Sequence, residues 1–290
     1  MKRVGLIFLL FLATASVIFA KQNPIYTQDD IAIFDRYVQY IESCRSKPME
    51  EVLQATAEFF LGSPYVANTL ESAVDETLIV DLREFDCTTF VENVIALSLA
   101  ARSDELSFDT FVDELRKIRY RSGRIDDYSS RLHYTCDWVF ENQQRGIFEN
   151  ISCQLGGTKD TREINFMTSH RAAYRQLTSD ERMLQKMSLR EKIINDRGGF
   201  YYLPKELISS RSDNIPNMAM IAFVTSIDGL DVSHEGFAYR HNGKLTFIHA
   251  SSVAKKVIVQ PAMLSEYCAS QKLCKGVMVM KINDLRPGGD

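Results

Sequence analysis

Along the first half of the chain, apolar residues recur at helical spacing. Ile31, Phe34, Tyr37, Val38 and Ile41 form one stripe, opened by Thr27 and Asp30 in the arrangement of a capping box. Pro48 suits the first turn of a second helix and Gly62 its end, with Val52, Leu53, Thr56, Phe59 and Phe60 between them. These aromatic stripes read as core packing. Gly62-Ser63-Pro64-Tyr65 is a turn into an extended segment, because a residue before proline is biased away from the helical region. Leu78-Ile79-Val80 reads as a short strand or loop. Phe90, Val91, Val94, Ile95 and Leu97 then fall near one face of a 3.6-residue period, uninterrupted by Gly or Pro from Thr88 to Arg102, which predicts a helix of about four turns. Ser107 caps a further helix carrying Phe111, Leu115 and Ile118, ended by Gly123. Residues of about 125–199 change character and read as a mostly helical insertion, with helical patterns over Ser169 to Leu177 and Ser179 to Asn195.

After Gly198-Gly199 the pattern turns to strands. Phe200 to Leu203 is stopped by Pro204, and Met218 to Ile227 is turned by Asp228-Gly229. Ser233 to His241 and Lys244 to Ser251 flank Asn242-Gly243, a strong hairpin signal. Val253 to Gln260, a short helix within Ala262 to Gln271, and a last strand Gly276 to Ile282 complete the series. A helical first half followed by an antiparallel second half predicts an α+β fold.

The two-residue turn fixes which side chains share a face. With His241 opposite Lys244, Ala238 lies opposite Phe247, Gly236 opposite His249, and His234 opposite Ser251. Opposed residues share a face, and so do alternate residues of one strand. His234 and His249 are therefore diagonal neighbours, roughly 7–8 Å apart at the backbone and within reach of a ring-to-ring hydrogen bond. His241 points to the other face and is solvated. Gly236 and Ala238 are expected to leave open space beside the two rings.

Charge and the first residues then narrow the setting. Lys2 and Arg3 precede an almost wholly apolar run from Leu6 to Phe19, and Ala20 offers a small residue for cleavage. This is the pattern of a secretory signal peptide over residues 1–20, too short in its apolar run for the ~20 residues of a spanning helix. No stable membrane insertion is expected after cleavage, and a periplasmic or secreted location follows. The leader takes two of 34 basic residues, leaving 32 against 38 acidic, a net of −6. That balance argues against nucleic acid as a partner. Residues 21–290 are read as a single catalytic domain. Outside the cytosol disulfides are possible; of the six cysteines, Cys268 with Cys274 and Cys136 with Cys153 are near enough to pair, although spacing does not decide connectivity.

Cys87 falls at the start of the helix that follows Asp86. Free N–H groups and the positive end of the helix dipole there favour a thiolate, the nucleophilic form. With His234 as base and His249 as orienting group, the pattern is that of covalent catalysis by a thiol. A Cys/His/His metal site is the rival chemistry, but the sequence offers no evident fourth ligand, and the spacings are not those of structural zinc.

Gly62-Ser63-Pro64-Tyr65, Phe85-Asp86-Cys87-Thr88-Thr89-Phe90-Val91-Glu92, His234-Glu235-Gly236-Phe237 and Ile248-His249-Ala250-Ser251-Ser252, in that order, resemble the NlpC-type papain-like cysteine amidases that cut bacterial peptidoglycan. The Asp-Cys-Thr-Thr-Phe-Val-Glu block, Arg131-Leu132-His133-Tyr134 and Gly229-Leu230-Asp231-Val232-Ser233-His234 are similar to one branch of that superfamily, described as N-acetylmuramoyl-L-alanine amidase-like. The resemblance covers most of residues 48–282. It implies a papain-like NlpC-type fold, with the helical half carrying the nucleophile packed on the antiparallel sheet. It further implies Cys87 as nucleophile, His234 as general base and His249 as third residue. Tyr65 and Asp86 would lie beside the nucleophile, and Arg131, His133 and Tyr134 would form the wall of the substrate site. The implied substrate is peptidoglycan or a muropeptide, cut at the amide between N-acetylmuramic acid and L-alanine without metal or organic cofactor. One departure is Ile215-Pro216-Asn217-Met218-Ala219-Met220-Ile221, which stands where a more polar Gly-Asp turn is expected. A stem-peptide endopeptidase cutting after γ-D-glutamate, and a non-catalytic wall-binding or secreted interaction module, are the other functions compatible with the sequence.

Overall fold

The computed structural model describes residues 23–71 and 75–284, so the expected leader lies outside the described residues. The Thr27 side chain accepts from the Asp30 N–H, and the Asp30 carboxylate accepts from the Thr27 N–H, starting α1 (Gln28–Ile41). Helix α2 (Met49–Phe59) begins behind Pro48. Helix α3 (Cys87–Arg102) is buried along nearly its whole length, and α4 (Phe108–Arg119) packs on it from the Ser107 cap. All four lie where the hydrophobic period places them.

The sheet carries the second half. Its order is β2-β3-β8-β4-β5-β6-β7, with β1 also pairing β8. The strands are β1 (Phe148–Asn150), β2 (Thr158–Asp160), β3 (Phe200–Pro204), β4 (Met220–Thr225), β5 (Val232–His241), β6 (Lys244–Ser251), β7 (Lys256–Val259) and β8 (Cys274–Ile282). Every pairing among them is antiparallel. Helices cover both faces. On one, Met220, Ala222, Phe237 and Ile248 join the core built by α1 to α4; on the other, Ile221, Phe223, Ala238 and Phe247 pack with α9 (Lys205–Arg211) and α10 (Leu264–Ser270). Burial on both faces explains why β4 is buried at every position and reads as a continuous apolar run rather than an alternating one.

Residues of the insertion form α5 (Thr135–Gln144), the single-turn helices α6 (Phe166–Ser169) and α7 (Arg175–Thr178), and α8 (Glu181–Asp196) around a core of their own. The expectation of a mostly helical insertion needs one correction. It also supplies β1 and β2 to the sheet, three-residue strands too short to show alternation in a sequence. Helix α9 follows Pro204 directly and, at seven residues, is too short to show a helical period. Cys268 and Cys274 are joined, fixing the end of α10 to the start of β8. Cys136 and Cys153 are not: Cys136 is buried and Cys153 is exposed.

Candidate active site

Helix α3 opens with a reciprocal cap. Asp86 accepts from the Thr89 N–H at 2.8 Å, while the Asp86 N–H donates to the Thr89 hydroxyl at 2.9 Å. This satisfies two groups that a helix start leaves open and places Cys87 as the first helical residue. Phe90 follows one turn later and meets Phe237 of β5 with ring centroids 6.0 Å apart, which seats the helix start on the hairpin.

The hairpin has the register expected from Asn242-Gly243. Both turn residues have positive φ, and His241 pairs with Lys244, Ala238 with Phe247 and Phe237 with Ile248. In such a hairpin the N–H groups of His241, Tyr239, Phe237 and Glu235 all point at β6. The ladder ends at Phe237–Ile248, however, and beyond it β5 is packed against α3, with the Glu235 backbone near the Cys87 sulfur. The start of α3 thus lies by the stretch of β5 where its pairing with β6 ends, and His234 belongs to that stretch. His234 Nε2 and His249 Nδ1 are 2.6 Å apart, on the face where the diagonal pairing puts them. His249 Nε2 faces Gln260 Oε1 at 3.4 Å. His241 is exposed on the opposite face, against Tyr239.

Gly236 has a different meaning from the one expected. A Cβ there would lie 2.6 Å from the Ile248 carbonyl oxygen and 3.0 Å from the His249 Cβ. Ala238 is fully buried. The small residues let the two strands approach rather than leaving a cleft open. The cavity lies further out, about 850 Å³ in volume, lined among others by His234, His249, Ser251, Gln260 and Tyr267. A second cavity, of about 770 Å³, sits inside the insertion between α5 and α8 and is not lined by the paired histidines; Cys87 lines neither cavity.

Electrostatics also depart from the expectation. The helix start favours a thiolate, yet burial, Glu235 and Asp86 push the Cys87 thiol up to about 12, against partial relief from the Thr88 hydroxyl and the Glu235 N–H. Burial likewise holds His234 and His249 well below the usual imidazole range. At rest, therefore, thiol and imidazoles are all neutral. Neutral rings fix a tautomer chain. The Gln260 oxygen accepts from His249 Nε2, so His249 Nδ1 is bare and accepts from His234 Nε2, leaving the His234 Nδ1 lone pair open.

Tyr65 is half-buried and pairs with Phe85, the residue before Asp86, and burial followed by the charge of Cys87 raises its hydroxyl. Arg131, His133 and Tyr134 are engaged elsewhere. Arg131 pairs with Glu71 at 2.6 Å and Glu76 at 3.4 Å, His133 Nε2 faces the Tyr128 carbonyl at 2.7 Å, and the Tyr134 hydroxyl donates to Glu191 at 2.7 Å. Their polar atoms brace the wall, and none of the three lines the cavity beside the paired histidines. Tyr267, Gln260 and Glu235 escaped the sequence reading. Tyr267 packs its ring on Phe247 at 4.9 Å and His249 at 6.1 Å, and burial raises its hydroxyl. Only the contacts of α10, invisible in a linear pattern, bring it there.

Residues 55–277 match the family described as N-acetylmuramoyl-L-alanine amidase-like. An N-acetylmuramoyl-L-alanine amidase from Bacteroides uniformis is 34% identical, covering 81% of this chain and 99% of its own, with a TM-score of 0.74. A protein provisionally named a xylanase, from Bacteroides fragilis, is 35% identical over 79% of this chain and 100% of its own, with a TM-score of 0.75. A Legionella pneumophila protein shares the fold at 22% identity and a TM-score of 0.67, covering 90% of this chain and 96% of its own. No curated protein matches the chain. Extent of match, identity and shared architecture agree: the chain belongs to the AmiA-like family of N-acetylmuramoyl-L-alanine amidase-like proteins.

Proposed function

We propose that this protein is a papain-like, NlpC-type cysteine amidohydrolase that cleaves the N-acetylmuramoyl-L-alanine bond of peptidoglycan or its fragments, outside the cytosol after removal of residues 1–20. The observation that carries the reading is Cys87 as the first residue of α3, a helix packed on β5, the strand that bears a histidine bonded to a second histidine at 2.6 Å.

The roles follow from the tautomer chain. His234 Nδ1 takes the thiol proton as the sulfur attacks the amide carbonyl, so no resting thiolate is required. The proton makes His234 a cation, and the Nε2–H bond to His249 holds the ring while it carries that charge. The free N–H of Cys87 at the start of α3 meets the oxyanion. His234 then returns its proton to the leaving amine of L-alanine, which departs with the stem peptide. Water hydrolyses the thioester, and the thiol is restored. Asp86 acts through the cap that holds Cys87, and Tyr65 borders the sulfur. Arg131, His133 and Tyr134 support the insertion that flanks the site.

Digesting disaccharide-tetrapeptide muropeptides with the mature protein, followed by mass spectrometry, tests the assignment. Free tetrapeptide with intact disaccharide is expected, and Cys87→Ala abolishes it. Disaccharide-dipeptide as product would replace the amidase by a γ-D-glutamyl endopeptidase. Equal effects of the native and Cys87→Ala proteins would point to a binding module. Release of xylose oligomers from xylan would favour glycosidase chemistry, which uses paired carboxyl groups.

A further inference from the structure

The cavity beside the paired histidines differs in charge from the chain around it. The sequence carries 38 acidic residues against 34 basic, yet among the described residues no Asp or Glu lines this cavity. Hydroxyls and amides stand there instead, Ser233, Ser251, Gln260 and Tyr267 among them. Lys272 is the one permanent cation of its lining. It is exposed, and among the described residues no carboxylate or hydrogen bond engages it. The cavity inside the insertion has both signs, with Glu163 and Glu191 beside Lys159 and Arg162.

The segment that carries Lys272 is tethered at both ends. It lies within the loop closed by the Cys268–Cys274 link. There the Cys274 N–H donates to the Gln271 carbonyl at 3.0 Å, and the Ser226 N–H, just past β4, donates to the Leu273 carbonyl at 2.8 Å. Leu273 and, from the turn between β6 and β7, Val253 line the same cavity, 54% and 91% exposed. A cation on a fixed loop, with apolar surface beside it and no competing carboxylate, suits an anionic group on a partly apolar ligand.

We propose that this cavity receives the departing stem peptide, and that Lys272 is a specificity-determining residue that pairs with the free α-carboxylate of its γ-linked D-glutamate. The inference rests on the amidase reading. In that reaction His234 protonates the leaving amine, and the cavity lies on the histidine side, lined by His234 and His249 but not by Cys87. Beyond L-alanine the stem continues through the γ-carboxyl of D-glutamate, which leaves the α-carboxylate unblocked. Two extended residues span roughly 7 Å, a length that a cavity of about 850 Å³ accommodates.

Two substrates that differ only at that carboxylate provide the test: N-acetylmuramoyl-L-alanyl-γ-D-glutamyl-L-lysine and its counterpart with the α-carboxylate amidated. With the native mature protein, kcat/KM is expected to be roughly fivefold higher for the acid, the size of one solvent-facing ion pair, and the difference should lie in KM. Lys272→Met removes the preference by weakening the acid alone, and Lys272→Glu reverses it. Because Lys272 is exposed, neither change should move the unfolding midpoint. Equal kcat/KM for the two substrates in the native protein, or an unchanged preference in Lys272→Met, would overturn the proposal. Calorimetric titration of Cys87→Ala with the same two compounds reads the preference without turnover. Tighter binding of the acid that Cys87→Ala/Lys272→Met lacks, with no cleavage by the native protein, would sink the amidase reading alone. Cleavage of both compounds with equal efficiency would sink the role of Lys272 alone.

Discussion

Gly236→Ala is the smallest change that should separate the two histidines. A Cβ at this position lies 2.6 Å from the Ile248 carbonyl oxygen, while ordinary contact begins near 3.4 Å, so roughly 0.8 Å of separation has to be found. The second contact, 3.0 Å to the His249 Cβ, directs the strain onto the residue that holds His234. Backbone is the obstacle in the first case, so no flexible side-chain end can swing away. Gly236 does not have a positive φ, which makes the effect steric rather than conformational. Overpacking of this kind costs about 1–3 kcal/mol of stability. Displacing β6 by several tenths of an ångström lengthens the 2.6 Å His234–His249 bond, and misplacement on the order of 1 Å lowers a rate by about a hundredfold. The expected outcome is a kcat reduced on the order of tenfold to a hundredfold, with a lower urea midpoint. Muropeptide cleavage followed by chromatography gives the first, and Trp138 fluorescence during urea unfolding gives the second. A variant with native kcat and native midpoint would refute the close-packing argument.

Two further outcomes follow from buried charge. Arg119 and Glu92 are 2.6 Å apart with side chains 1% and 3% exposed, so Glu92→Met strands a buried guanidinium and should cost about 3–5 kcal/mol in urea unfolding, most of it recovered in the Glu92→Met/Arg119→Met double variant. No recovery would mean that the pair does more than cancel its own charges. Burial and Arg131 push His133 down to about 3, with His234 and His249 also lowered. The unfolded chain binds these protons near pH 6.5 and the folded chain does not, so their stabilisation is complete above about 6.5 and is lost as pH falls toward the folded values. Unfolding midpoints should drop between pH 7 and 5, and His133→Phe should make the drop shallower; an unchanged slope would show that His133 accepts its proton without unfolding.

What could be read from the sequence was whatever depends on neighbours along the chain. Thr27 and Asp30 announced a helix start, and Asn242-Gly243 assigned His234 and His249 to one face because turn geometry is local. The same counting misjudged Gly236. Alternation says which side a residue occupies but not how nearly two strands approach. The Cys87 thiolate departs from expectation for a related reason: the dipole of α3 is local, but the burial that raises the thiol exists only once α3 is packed on β5. Gln260 and Tyr267 belong to segments whose positions depend on β6 and the Cys268–Cys274 link. Arg131, His133 and Tyr134 share a conspicuous run, yet their partners come from Glu71, Tyr128 and Glu191, and only folding shows that those partners occupy them.

Strand β8, the last one described, does not lie at a margin of the sheet but between β3 and β4, and it also pairs with β1. Synthesis proceeds in the opposite sense to this assembly. Until residues 274–282 have left the ribosome, β3 and β4 have no shared neighbour, and each would show an unpaired edge. The long-range closure must wait for residue 282, which makes a chain stopped short of it a poor folder and a good client for a holding chaperone. Such a delay keeps the polypeptide unfolded for longer, and Cys87 meets its completed sheet only at the end of it.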